Sequence, residues 1–345
     1  MVESFSFSSN VHARGIMRII IYGVGAIGGT VAAALALSGQ EVIGIARGAH
    51  LKAVQADGLL LRTPEKTVRA NYPCVSDPTE IALRPDDAIL LTMKTQDTPA
   101  ALERLRAAGV AEQAIFCVQN GVTNERLSLR HFPEVHGVTV MMPAAISAPG
   151  EVSAFSVPRH GIFDIGRYPG GSNAHDAKLA EAMEAANIAA FVSQDVMQSK
   201  HGKLLLNLSN ILQAALGLDA DYKHLEALLR AEAEAAYRAA GIRWLDVGAA
   251  DARRAQLMQQ RPIAGIDRLG SSTTQSLARG AGSIETDYLN GEIVLLGRLH
   301  GVPVPANTYF TELGARMARE GLKPGAILLA EAEAELSALG ALPGR

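Results

Sequence analysis

The sequence predicts an α/β protein: a doubly wound parallel sheet in the first half and an all-α helical bundle in the second. Three observations predict it. Short aliphatic runs alternate with helical stretches through the first half. A glycine-rich turn joins the first of those runs to the first helical stretch. From about Asp195 the pattern becomes long Ala/Leu/Glu segments broken only by Gly and Pro. With 345 residues, 48 % of them hydrophobic and 19 % charged, the chain is long enough for two cores and too apolar to stay unfolded.

Residues 1–16 are rich in Ser and Phe without a period, and are read as a disordered extension or an upstream start ahead of Met17, with a signal peptide as the alternative. Strand candidates follow at 18–22, 41–46, 88–92, 114–118 and 138–142. They do not alternate, as parallel strands buried on both faces need not. Helical stretches at 28–38, 49–56 and 98–108 lie between several of them. Between Ala144 and Gly166, Pro149-Gly150, Pro158 and Gly161 separate short runs read as antiparallel additions. A helix at 176–186 and a short strand near 190–192 complete a first domain over 17–194. Helices at 199–216, 222–240, 246–259, 285–299 and 308–319 build a second, 195–345, with a cleft expected at the junction.

Charge and composition exclude several functions. Lys and Arg number 32 against 35 Asp and Glu, a net charge of −3, so no excess of cations awaits nucleic acid or an anionic membrane. The two cysteines, Cys74 and Cys117, are too few for a disulfide framework and suit the reducing cytoplasm. The nine histidines are scattered, without metal-ligand spacing, so no metal site is expected. Ile19 to Gln40 carries no charge and is long enough to cross a bilayer. Its five glycines split it into a β-rich and an Ala-rich part, which favours a buried strand, turn and helix over a membrane span.

Residues 22–29 read Tyr-Gly-Val-Gly-Ala-Ile-Gly-Gly, a G-x-G-x-x-G at Gly23, Gly25 and Gly28 between a strand and a helix. The first glycine allows the tight turn, the second the approach of a pyrophosphate, the third the packing of helix on strand. The free amides at Ala26 and Ile27 are where phosphate would sit. The second strand ends at Arg47 rather than at an acid, which favours a 2′-phosphate and hence NADP(H). Later strands end at Lys94 and at Gln119-Asn120-Gly121, so Lys94 and Asn120 are further candidates for cofactor or substrate. Each alone is equally well an ordinary loop residue.

On the first helix of the second half, Lys203, Asn207 and Asn210 are spaced 0, 4 and 7, within about 40° of one another around a helix. A polar stripe in an apolar helix requires partners. It is either a packing network or a site wall, in which Lys203 protonates an alkoxide and the amides orient the substrate. Residues 271–291 carry hydroxyls, glycines and two acids in an otherwise Ala/Leu-rich half. They read equally as a loop ending in a capping box at Ser283 and Thr286 or as a lining of the cleft.

The segments GVGAIGG (23–29), MKTQDT (93–98), QNGV (119–122), GKLLLNLSN (202–210), ETDYLNGEI (285–293) and HGVPVPAN (300–307) together resemble the ketopantoate reductase family, the NADPH-dependent 2-dehydropantoate 2-reductases. The resemblance runs from Met17 to about Lys323. It implies a Rossmann domain and a helical domain with the active site between them. It also implies a catalytic Lys203 with Asn207 beside it, an acid at Glu285 holding substrate or lysine, cleft residues at Lys94 and Asn120, a substrate-binding hydroxyl at Ser272 or Thr273, and a 2′-phosphate contact at Arg47; Asn210 remains a substrate contact from the helical stripe alone. Two departures, His201 in place of an aromatic and Ile211 in place of an asparagine, fall on the expected substrate wall. The expected reaction is reduction of a 2-oxo acid, 2-dehydropantoate to pantoate. Another branched 2-oxo acid, an oxo acid–amine conjugate, or a non-catalytic NADP(H) sensor are the alternatives. Ala-rich faces at 226–240 and 327–340 are candidates for a homodimer contact.

Overall fold

The computed structural model describes residues 17–267, 270–280 and 282–342; the expected extension 1–16 lies outside them. The chain runs β1 (Ile19–Tyr22), α1 (Ala26–Leu37), β2 (Val42–Ile45), α2 (Gly48–Asp57), β3 (Leu59–Arg62), β4 (Thr67–Ala70), β5 (Cys74–Val75), β6 (Ala88–Leu91), α3 (Thr98–Ala107), β7 (Ala114–Cys117), α4 (Asn124–Leu129) and β8 (Val135–Met141). It continues through β9 (Ala144–Ala148), β10 (Glu151–Ala154), β11 (Ser156–Pro158), β12 (Ile162–Arg167), α5 (Ala174–Ala185) and β13 (Ala189–Val192). Eight strands form one sheet in the order β13-β12-β8-β7-β6-β1-β2-β5. All neighbours are parallel except β12 and β8. β1 lies between β2 and β6, with Ile19 opposite both Val42 and Ala88. The strand order therefore reverses beside β1, and the crevice belongs at the carboxyl ends of β1 and β6.

Two features differ from the expectation. The segment between α2 and β6 contains three strands, too short to leave a period. β3 and β4 join β9 and β10 in a second sheet, β4-β3-β10-β9, in which β10 runs antiparallel to β9 but parallel to β3. This sheet covers the outer face of α1. A Cβ on Gly29 would stand 2.9 Å from Val152 and 3.3 Å from Leu59. Residues 28–35 of α1 are buried, so the helix is apolar all round because it is covered on both sides. That explains the uncharged stretch 19–40, and no helix among the described residues is long and apolar enough to cross a membrane.

The second half continues as α6 (Val196–Asn207), α7 (Asn210–Leu216), α8 (Lys223–Ala239), α9 (Ala252–Leu257), β14 (Met258–Gln260), α10 (Ser272–Ala278), a 3-10 turn at Glu285–Tyr288, α11 (Asn290–His300), α12 (Pro305–Glu320) and α13 (Leu329–Ala338). The expected helix 199–216 is two helices, with a break after Asn207. The expected helix 246–259 is only α9, because the chain then turns into β14 and pairs with β11 of the first half, Ser156 opposite Gln260. Within the Ala-rich segments, Ala233 and Ala236 of α8 and Ala332 and Leu336 of α13 share one core, while Ala227, Ala231, Ala330, Ala334 and Ala338 are exposed.

α6 is tied to the sheet by a residue that sequence reasoning passed over. Lys200 is 2 % exposed, with its ammonium 2.5 Å from Glu125 of α4. It also donates to the carbonyl of Gln119 at 3.0 Å, at the carboxyl end of β7. One residue earlier, Ser199 Oγ lies 2.7 Å from Thr139 Oγ1 of β8. These contacts fix the direction of α6, and Lys203 follows one turn along it.

Candidate active site

The carboxyl ends of β1, β2, β6 and β7 and the helices α6, α7, α9 and α10 enclose one cleft of about 700 Å³, a size typical of ligand sites. On the sheet side the glycine turn is built as its spacing requires. Gly23 has φ +109°, and a Cβ there would lie 2.8 Å from Met93 N. A Cβ on Gly28 would fall 2.3 Å from Gly23 O and 2.4 Å from Thr92 Oγ1. Thr92 in turn donates to the Gly23 carbonyl at 2.7 Å and holds the turn on β6. Gly25 alone faces open space, with no heavy atom nearer than 3.9 Å to its added Cβ. No side chain caps α1 and no acid sits in its first turn. Ala26 and Ile27 line the cleft there, while Gly28 is buried behind them. An uncapped positive helix end beside open space fits a dinucleotide pyrophosphate.

Arg47 ends β2 with its side chain 79 % exposed, 3.7 Å from Asp97. Tyr22, Ser76 and Arg104 line the same end of the cleft, and Arg104 is paired with Asp77 at 2.7 Å. Asn120 follows β7 and lines the cleft floor. Lys94 follows β6 and donates to Ser276 of α10. Burial lowers its pKa, and the Glu285 charge opposes that shift.

The helical wall carries Lys203, Asn207, Asn210, Ser272 and Glu285, all lining the same cleft. The break after Asn207 leaves the three stripe residues on one wall. Burial, then the neighbouring Arg254 charge, brings the pKa of Lys203 down to about 8. Asn207 is 6 % exposed and its Oδ1 has no hydrogen-bond partner among the described residues; such an atom takes its partner from water or a ligand in the cleft. Asn210 opens α7, and its carbonyl accepts from Ser271. The hydroxyl-rich segment is helix α10, capped by Ser271, and Ser272, Gln275, Ser276 and Arg279 of it line the cleft. Of the two readings open for 271–291, the cleft lining is the one the structure shows; Ile284 precedes the 3-10 turn without a side-chain cap, so Ser283 forms no capping box there.

Glu285 sits in that turn and reaches across to the first lobe. Its Oε1 accepts from Thr95 N at 3.1 Å and Thr95 Oγ1 at 3.3 Å. Burial raises its pKa, while the Thr95 amide and then the Lys94 charge counter the rise. Its hydrogen bonds thus go to Thr95, and its cationic neighbour is Lys94 rather than Lys203. His201 departs from expectation too. It packs edge-on against Tyr237, with centroids 5.3 Å apart, and Ile211 lies in the helical core, so neither forms the substrate wall. Arg254, which no motif marked, is in the cleft lining beside Lys203.

The chain as a whole is similar to known proteins. The model described as ketopantoate reductase PanE/ApbA matches residues 19–170, and its C-terminal counterpart matches 195–318. A 2-dehydropantoate 2-reductase of Mesorhizobium japonicum is 29 % identical over 88 % of this chain and 98 % of its own length. That of Halobacterium salinarum is 28 % identical over 88 % of this chain and its full length. A solved PanE/ApbA family ketopantoate reductase from Ralstonia eutropha JMP134 is 32 % identical, covers 88 % of this chain and 99 % of its own, and superposes with a TM-score of 0.73. D-Mandelate dehydrogenase, solved with NADH and anilino(oxo)acetate, shares the fold at 23 % identity and a TM-score of 0.74, over 88 % of this chain and 99 % of its own. The chain belongs to the ketopantoate reductase family of oxidoreductases.

Proposed function

We propose that the protein reduces a 2-oxo acid with NADPH, and that 2-dehydropantoate is the substrate. The observation that carries this reading is the placement of Lys203 in the same cleft as the glycine turn, on a helix anchored independently by Lys200. A bound nicotinamide supplies a hydride to the keto carbon. As negative charge develops on the keto oxygen, the Lys203 ammonium stabilises it and then gives up its proton, leaving a 2-hydroxy acid and a neutral amine. A lysine whose pKa is brought down to about 8 transfers that proton more readily than an ordinary one, and is still mostly protonated at neutral pH.

The remaining residues position the reactants. Gly23 and Gly25, with the Ala26 and Ile27 amides, receive the pyrophosphate; Arg47 receives the 2′-phosphate, and Lys94 and Asn120 flank the path between. Asn207 and Asn210 orient the substrate, and Ser272 donates to its carboxylate. Glu285, hydrogen-bonded to Thr95, ties the helical wall to the sheet and sets the width of the cleft. Steady-state assay of NADPH oxidation, with 2-dehydropantoate against other branched 2-oxo acids, tests the proposal. The highest kcat/KM is expected for 2-dehydropantoate. No oxidation with any 2-oxo acid, despite NADPH binding, would contradict it.

A further inference from the structure

Resting on the reading of the cleft as a 2-oxo acid reductase site, we infer that Arg254 is the charged anchor for the substrate carboxylate, and so a specificity-determining residue of this chain. Two adjacent arginines on α9 are used in opposite ways. Arg253 is spent on structure. It is 2.7 Å from Asp164 of β12 and 2.8 Å from Asp251, and it lies over the Phe191 ring with 4.8 Å to the centroid. Together with the pairing of β14 on β11, these contacts clamp the short α9 against the first lobe. Arg254, the next residue, has no ion pair and no side-chain hydrogen bond among the described residues, and it lines the cleft.

A half-buried arginine with no anion, facing the same cleft as a second half-buried cation, is electrostatically unfavourable on its own. Lys203 is that second cation, and the Arg254 charge contributes to its lowered pKa. A ligand carboxylate relieves both, and the planar fork of arginine matches a carboxylate in two parallel hydrogen bonds. The neighbouring wall is apolar, formed by Met141, Met142, Leu206 and Met258. The ligand class is therefore a small organic anion with its carboxylate on Arg254, its keto oxygen toward Lys203 and an aliphatic group on the methionines. The uncharged donors Asn207, Asn210 and Ser272 orient such a ligand but cannot neutralise it.

The test compares a 2-oxo acid with its neutral methyl ester in wild type, Arg254→Gln and Arg254→Lys, and adds calorimetric binding of the 2-hydroxy acid in the presence of NADP⁺. Loss of a charge-assisted hydrogen bond predicts that Arg254→Gln raises KM for the acid on the order of 10- to 100-fold. The ester and the KM for NADPH should change by no more than about twofold, and Arg254→Lys should recover part of the loss. Hydroxy-acid affinity should fall with the same ranking. Equal losses for acid and ester, or an unchanged KM for the acid, would overturn the inference. If the wild type reduces no oxo acid, the reductase reading fails separately. The calorimetry still decides: unchanged hydroxy-acid binding in Arg254→Gln removes the anchor.

Discussion

The two walls of the cleft are built from different materials. The sheet wall is largely backbone: a glycine turn, an uncapped helix end and the last residues of parallel strands. The helical wall consists of side chains from separate segments, namely Lys203 and Asn207 of α6, Asn210 of α7, Arg254 of α9, Ser272 of α10 and Glu285 of the 3-10 turn. Backbone sites require particular residue types at fixed spacing, because only glycine leaves the room. Side-chain sites require only that distant segments converge. On this account the sheet wall holds the cofactor and the helical wall performs proton transfer and selection of substrate.

The largest test of that division is a pair of variants, one on each wall. Lys203→Ala should lower kcat by about 10²- to 10⁴-fold, the usual contribution of a general acid, while NADPH affinity by fluorescence titration is kept. Gly25→Val fills the open approach at the turn. It should raise the KM for NADPH on the order of 10-fold or more while hardly changing the KM for the oxo acid. A Lys203→Ala enzyme that loses NADPH instead would erase the distinction between the walls.

A second comparison lies within α6, where two lysines one turn apart have opposite fates. Lys200 is neutralised by Glu125 and hydrogen-bonded to the Gln119 carbonyl, whereas Lys203 has no carboxylate within ion-pair distance among the described residues. Lys200→Met strands the buried Glu125 charge and should cost about 3–5 kcal/mol of stability in a urea titration. Adding Glu125→Gln should return part of it. Little change in Lys200→Met would mean that the pair does not hold α6 in place.

Less of the helical wall than of the sheet wall was legible in the sequence. Gly23, Gly25 and Gly28 announce themselves, and Arg47, Lys94 and Asn120 follow from the rule that ligands gather at strand ends. The stripe Lys203–Asn207–Asn210 was legible because a helix repeats at 3.6 residues. Which lysine is sealed off was not. Lys200 acquires its burial from Glu125, 75 positions earlier, and no local pattern encodes that pairing. Arg254 was hidden because residues 246–259 read as one continuous helix, while tertiary pairing with β11 turns its end into β14. The strands β3, β4 and β5 have four residues or fewer; β4 turns back on β3, but β3 finds its other partner in the distant β10 and β5 finds its in β2, across the whole of α2. His201 illustrates the converse. The resemblance puts it on the substrate wall, whereas it packs edge-on against Tyr237 and does not line the cleft.

Smaller effects sharpen the same contrasts. Arg47→Ala should reduce the preference for NADPH over NADH by about tenfold, since in the proposed reading its exposed guanidinium receives the 2′-phosphate. Lys203→Met should stabilise the apo fold at neutral pH. The lysine has a pKa of about 8 when folded and 10.5 in the ordinary case. As pH falls through that interval the unfolded chain takes up the proton first, so wild-type stability falls from about 10.5 to about 8 and the penalty is complete below. Denaturation midpoints of wild type and Lys203→Met should therefore diverge across that window and coincide above it.

The most direct test is the single-turnover rate of NADPH oxidation on 2-dehydropantoate as a function of pH. With Lys203 as the proton donor, the rate should fall about tenfold per pH unit above its pKa of about 8, and the break should move to higher pH in Arg254→Gln, where one neighbouring charge is gone. A rate that passes through that pH without a break, in wild type, would contradict the account.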